Sequence, residues 1–229
     1  MLIGESSGRS VDLVVLVDAT SSSWLALDAY KQKIKDALRI LEPGLPQFYA
    51  RITSLRVKVI GYRDSLADPE PMLISPFFRI PEETPALFDF LNAIEPKGGG
   101  ETPQENALEA LVLAMRSDWT NERLSRQIIL LFADADPLLP EECGVRPEGM
   151  HRSVAELYRW WNTGLPEAGS SFDPRKARLI IAMNDADQSH SRFPTWEDFP
   201  QNCHNCVYVP IKSQKDWANV DEVLDLAVR

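Results

Sequence analysis

Val11-Asp-Leu-Val-Val-Leu-Val-Asp18 is an apolar, largely β-branched run without clean alternation, closed by a carboxylate. A strand with one face in water alternates apolar and polar residues. A run that stays apolar throughout is buried on both faces, as in a parallel sheet covered by helices. Downstream, Leu27, Tyr30, Ile34, Ala37 and Leu41 recur at spacings of three and four, which predicts an amphipathic helix ending before Pro43-Gly44. A buried strand followed at once by such a helix is the opening of an α/β fold.

The rest of the chain keeps that rhythm. Leu55–Tyr62 reads as a strand with one more polar side, and Met72–Phe78, after the turn at Asp68-Pro69-Glu70-Pro71, as a short antiparallel edge strand paired with it. Phe88, Leu91 and Ile94 mark a short helix, and Pro103–Met115 a longer one. Gln127–Ala133, Arg178–Met183 and Val207–Ile211 are further apolar strands, and Trp217, Val220, Leu224 and Ala227 outline a closing helix. The expected architecture is a doubly wound, mostly parallel six-stranded α/β sheet in the order 3-2-1-4-5-6, with one antiparallel edge strand and helices on both faces. It forms a single domain over residues 10–229. Two segments, 135–150 and 185–205, break the rhythm and are expected to be long loops.

Composition narrows the function. Across 229 residues, 34 acidic side chains face 24 basic ones, a formal charge of −10. Nucleic acid or an anionic membrane surface calls for a basic face, so neither is the expected partner. A membrane-spanning helix needs about 20 apolar residues, and the run at Leu13–Val17 is broken by Asp18; the N-terminus lacks a basic, cleavable leader. Three cysteines (Cys143, Cys203, Cys206) are too few for a disulfide scaffold, and the expected setting is a reduced cytoplasm.

Three oxygen-rich clusters fall where such a sheet places ligands, beyond the carboxyl ends of its strands. They are Asp18-Ala19-Thr20-Ser21-Ser22 after the first strand, Gly98-Gly99-Gly100-Glu101-Thr102-Pro103 before a helix, and Asp134-Ala135-Asp136 after the strand at 127–133. Hard oxygen donors converging on one spot suit Mg²⁺. Each cluster also has a plainer reading. Asp18 and its hydroxyls are good helix caps, and Thr102-Pro103-Gln104-Glu105 is a capping box. A carboxylate at Asp134, ending an aliphatic strand, has less structural reason to be there. Asp64 reads as a turn residue or a partner of Arg63, and Asp136, Asp185 and Asp187 as solvated loop charges.

Together these motifs resemble the von Willebrand factor type A domain and its metal-ion-dependent adhesion site, written Asp-x-Ser-x-Ser, a distant Thr and a later Asp. Asp18, Thr20 and Ser22 match the first element, with Thr replacing the first Ser; Thr102 matches the second and Asp134 the third. Gly61-Tyr-Arg-Asp64 and the Gly-Gly-Gly-Glu-Thr-Pro stretch look most like the bacterial and protist intracellular branch. The resemblance implies Mg²⁺ (or Mn²⁺ or Ca²⁺) held by Ser22, Thr20 and Thr102, with Asp18 and Asp134 acting through water. It implies a protein partner presenting Asp or Glu, within a signalling or stress-response assembly that includes a kinase, phosphatase or ATPase.

An enzyme needs machinery that is missing here. There is no Gly-x-Gly-x-x-Gly after a strand, no P-loop lysine and no Gly-x-Ser-x-Gly elbow. The expectation is a non-catalytic binding module; the alternative is metal-assisted hydrolysis at Asp18, and a purely structural metal site is a third reading. Cys203-His204-Asn205-Cys206 lacks the second ligand pair of a zinc site and precedes a strand, unlike a redox pair at a helix start. The segment 137–147 and Trp160-Trp161 are the expected contact surface around the site.

Overall fold

The computed structural model describes residues 8–21, 23–41, 52–65, 67–98, 104–140, 150, 153–185 and 193–228. Seven strands form one sheet: β1 (Arg9–Asp18), β2 (Ile52–Tyr62), β3 (Met72–Ile74), β4 (Phe78–Ile80), β5 (Ser125–Ala133), β6 (Ala177–Asn184) and β7 (Cys206–Ile211). The order is β3-β2-β1-β5-β6-β7, with β4 also paired to β2. Strands β2, β1, β5, β6 and β7 run parallel, while β3 and β4 are antiparallel to β2. The opening run lies at the sheet's centre, and the expected order is the observed one.

Every residue of β1 from Val11 to Asp18 is buried, and the side chains divide by parity. Val11, Leu13, Val15 and Val17 face a core shared with α1 (Trp24–Leu41), α2 (Thr84–Ala93) and α6 (Trp217–Val228). Val14 and Leu16 face a second core shared with α3 (Ala107–Met115), α4 (Val154–Thr163) and α5 (Pro194–Asn202). Two apolar layers explain the missing alternation: there is no wet face for a polar residue to occupy. Among the described residues no helix is long and apolar enough to cross a membrane.

Three expectations need correction, and one further helix was not foreseen. The edge strand at 72–78 is two strands, because Pro76 has no N–H to donate and Ser75 takes over part of the ladder. The Ser75 hydroxyl accepts from Val59 N at 2.9 Å and donates to Pro76 O at 2.7 Å. The helix expected from Pro103 begins at Ala107 with Asn106 in the cap position, so the capping box is not its start. The segment 185–205 contains α5, nine residues with proline in the first turn and Pro200 inside. Between β5 and β6 stands α4, capped by Ser153 accepting from Glu156 N.

Candidate metal centre

In a parallel sheet all carboxyl ends share one edge. The chain leaves β1 toward β2 on one side and later enters β5 on the other, so the crevice between β1 and β5 is the switch point where such folds place ligands. The register pairs Val17 with Phe132 and Asp18 with Tyr62. Asp18 therefore ends β1, and Asp134 follows β5 on the adjacent strand.

The two carboxyls influence one another's ionisation across the ends of these adjacent strands. Asp18 is 1% exposed, and its Oδ1 accepts from Thr20 N at 2.9 Å and Thr20 Oγ1 at 2.7 Å. Thr20 is fully buried. Its hydroxyl gives its proton to Asp18 and so keeps its oxygen lone pairs for accepting. Ser23, the residue before α1, donates to Asp18 O (3.2 Å) and Thr20 O (2.9 Å), fixing the loop from below. The Asp18 carboxylate thus organises its own loop. Its bonds go to Thr20, where a helix cap would accept from α1's first turn.

The walls of this end are fixed as well. Tyr62 is fully buried and donates to Phe132 O at 2.7 Å. Arg63, a buried guanidinium beside the site, binds Ala19 O, Glu95 O and the Asp68 carboxylate (3.0 Å). Its ion-pair partner is Asp68; Asp64 instead closes a turn, its carbonyl accepting from Asp68 N at 2.8 Å. Behind Asp134 the loop is tied to α5: Trp196 Nε1 donates to Ala135 O (2.9 Å), and Thr195 Oγ1 to Asp136 (3.0 Å). Asp136 is therefore an anchor for α5 and not a solvated charge.

Electrostatics mark the place as a cation deficit. Neither Asp18 nor Asp134 has an ion-pair partner among the described residues. Burial raises the Asp18 carboxyl against the opposing effect of the Thr20 bonds. Burial, then the Asp18 charge, pushes Asp134 up to about 7. Glu105, 3% exposed, is pushed up to about 9 by burial and then by Asp18, Asp64 and Asp134. Adjacent carboxylates that are buried or half-buried, with no cation of their own, disfavour ionisation, and a divalent ion would supply the missing charge. The donor set fits such an ion: carboxylates and hydroxyls, all hard oxygens. Among the described residues no group of three or more Asp, Glu, His or Cys side chains could hold a metal, and the hydroxyls are the further hard donors. Thr20 is in place; Ser22 and Thr102 lie outside the described residues, as do Cys143 and Asp187.

These shifts give a pH signature. The unfolded chain releases the Asp134 and Glu105 protons near pH 4, whereas the native state holds them to about 7 and about 9. Between those limits the native state binds more protons, so stability falls as pH rises. In EDTA, the melting temperature of wild type is expected to drop from pH 5 to pH 8 more steeply than that of the Asp134→Asn/Glu105→Gln variant. Equal slopes would show that these carboxyls titrate normally.

The expected contact surface needs revision. Trp160 and Trp161 are 5% and 1% exposed and pack in the second core, where Trp161 Nε1 donates to His204 O. Pro137, Leu138 and Pro140 are buried as well, and residues 141–149 lie outside the described residues. Cys203 and Cys206 are free thiols raised by burial, Cys203 to about 12, in a turn where Asn205 takes φ 52°. Thiols held protonated in this way are poor nucleophiles and poor ligands.

No protein-family model matches the sequence, and no curated protein matches it. Solved structures do share the fold. The pilus adhesin SpaC from Lactobacillus rhamnosus GG superposes with a TM-score of 0.60 at 12% identity, covering 96% of this chain and 30% of that one. The PilB minor pilin from Streptococcus sanguinis gives 0.58 at 11%, covering 99% and 63%. Proximal thread matrix protein 1 from the mussel byssus, with a zinc-occupied MIDAS motif (the metal-ion-dependent adhesion site), gives 0.53 at 12%, covering 97% and 48%. The chain thus spans between 30% and 63% of the length of these structures. Sheet order, the two helical layers and these superpositions together give this chain a von Willebrand factor type A-like fold.

Proposed function

We propose that this protein is a metal-dependent docking module: a divalent cation, Mg²⁺ by preference, sits at the carboxyl ends of β1 and β5, and a partner protein's Asp or Glu binds there. The observation that carries the reading is the buried Asp18, bonded to the Thr20 hydroxyl, beside the half-buried Asp134, with no ion-pair partner for either among the described residues. Thr20, Ser22 and Thr102 are the hydroxyl ligands; Asp18 and Asp134 hold charge and water. The bound ion supplies positive charge and an open coordination position for an external carboxylate. The chain keeps neutral hydroxyls close to the ion, orients Thr20 through Asp18 and screens the floor from water with Tyr62.

The site binds without catalysing. His204 lies in the α5–β7 turn, at the amino end of the strands, away from any role as a base here. The cytoplasmic setting, with a kinase, phosphatase or ATPase as partner, rests on the sequence resemblance alone; the superposed structures are pilus and byssus proteins. A pull-down in millimolar Mg²⁺, repeated with EDTA and with Asp18→Ala, tests the reading. Capture lost in both controls supports docking. Capture surviving both places the interaction elsewhere, and metal-dependent phosphoester turnover lost in Asp18→Ala favours a hydrolase.

A further inference from the structure

Glu105 stands outside the motif and beside the site. The residue is 3% exposed, and its Oε2 has no hydrogen-bond partner. A buried carboxylate oxygen with nothing to accept from is costly and calls for an explanation. Its main chain is fully committed: Glu105 bridges Pro137, and its carbonyl accepts from Ala107 N (2.8 Å) and Leu138 N (2.9 Å). Those bonds fix the position without help from the carboxyl. Local side-chain contacts at the start of α3 belong to its neighbour instead. Asn106 donates to Glu109 (3.1 Å) and accepts from Ser65 N (2.7 Å). The bridge to Pro137 sets Glu105 beside the segment three residues beyond Asp134, and burial, then the charges of Asp18, Asp64 and Asp134, raise its carboxyl.

We propose that Glu105 is a positioning residue of the metal centre, its open carboxylate oxygen accepting a hydrogen bond from a water in the bound ion's hydration shell. The proposal rests on the docking reading above and adds a third carboxylate that the motif does not contain. A hard divalent ion such as Mg²⁺ keeps several waters when bound, and such a water is a donor for this oxygen. It also explains why the oxygen is left without a partner in the protein: its partner arrives with the ion.

Calorimetric titration of the full chain with MnCl₂, beside thermal melts in EDTA, tests this with Glu105→Gln, which keeps the shape and removes the charge. Loss of an outer-shell partner weakens metal affinity by roughly 10–100-fold, so Glu105→Gln is expected to lose about tenfold or more with a metal-free melting temperature unchanged or raised. Wild-type-like Mn²⁺ affinity in Glu105→Gln would overturn the proposal and leave the docking reading standing. A lowered metal-free melting temperature would also overturn it, by showing a structural role. If wild type itself fails to bind Mn²⁺, the docking reading fails and takes this one with it.

Discussion

Asp18→Ala is expected to weaken Mn²⁺ and Mg²⁺ binding beyond the roughly 10–100-fold that an outer-shell partner is worth, and to abolish metal-dependent partner capture. Two effects combine. The variant removes the more deeply buried of two adjacent carboxylates, and with it a large part of the pair's attraction for the cation. It also frees the Thr20 hydroxyl and amide, both of which donate to Asp18 Oδ1, so a second donor loses its orientation. Thr20→Val is the milder comparison, since a neutral donor is lost and both charges remain. The metal-free fold is expected to survive, because nothing bound to the Asp18 carboxylate bears a positive charge that its loss would strand. Metal affinity within threefold of wild type in Asp18→Ala would remove this residue from the site.

How much of this was legible in the sequence depends on which physics each segment obeys. β1 and β5 were readable because burial on both faces leaves an unbroken apolar run, and a parallel sheet then brings their ends together without further information. Asp18 and Asp134 followed as neighbours. The split edge strand turned on a single missing N–H at Pro76 and the Ser75 hydroxyl that compensates for it, which no periodicity reveals. Helix α4 had its signals, Ser153 three residues before Glu156 and apolar Leu157, Trp160 and Trp161; the polar stretches around it hid them. In α5, Pro194 and Pro200 masked a helix that the Asp136–Thr195 and Ala135–Trp196 bonds hold in place. Glu105 was passed over because a capping box explained it locally, whereas the helix begins only at Ala107.

Asp12→Ala is expected to destabilise the protein by about 1–3 kcal/mol, the cost of leaving buried donors without their acceptor, since the Arg56 side chain it strands is 24% exposed. Asp12 sits in the same apolar run as Asp18, is 1% exposed, and meets a full set of donors: Arg56 Nε (2.8 Å), Arg56 Nη2 (2.7 Å) and Thr120 N (2.6 Å). Arg56 is also stacked over Phe77 at 4.4 Å, so its guanidinium cannot swing freely into water. Urea unfolding measures the loss. The Asp12→Leu/Arg56→Met pair, which strands no charge, is expected to cost less than Asp12→Ala alone. A change below about 1 kcal/mol, the scale of an exposed ion pair, would show that the pair is not effectively buried. Metal affinity is expected to be unaffected, because this carboxylate lies at the other end of the strand. One strand thus carries two buried acids in opposite settings: Asp12 is paired with Arg56, and Asp18 has no cationic partner among the described residues.

That contrast is the centre of the account, and anomalous diffraction from crystals grown in MnCl₂ tests it most directly. A manganese peak is expected at the carboxyl ends of β1 and β5, within coordination or one-water distance of Asp18, Thr20 and Asp134. Crystals in high MnCl₂ with no peak there, or with manganese bound only elsewhere on the acidic surface, would contradict it.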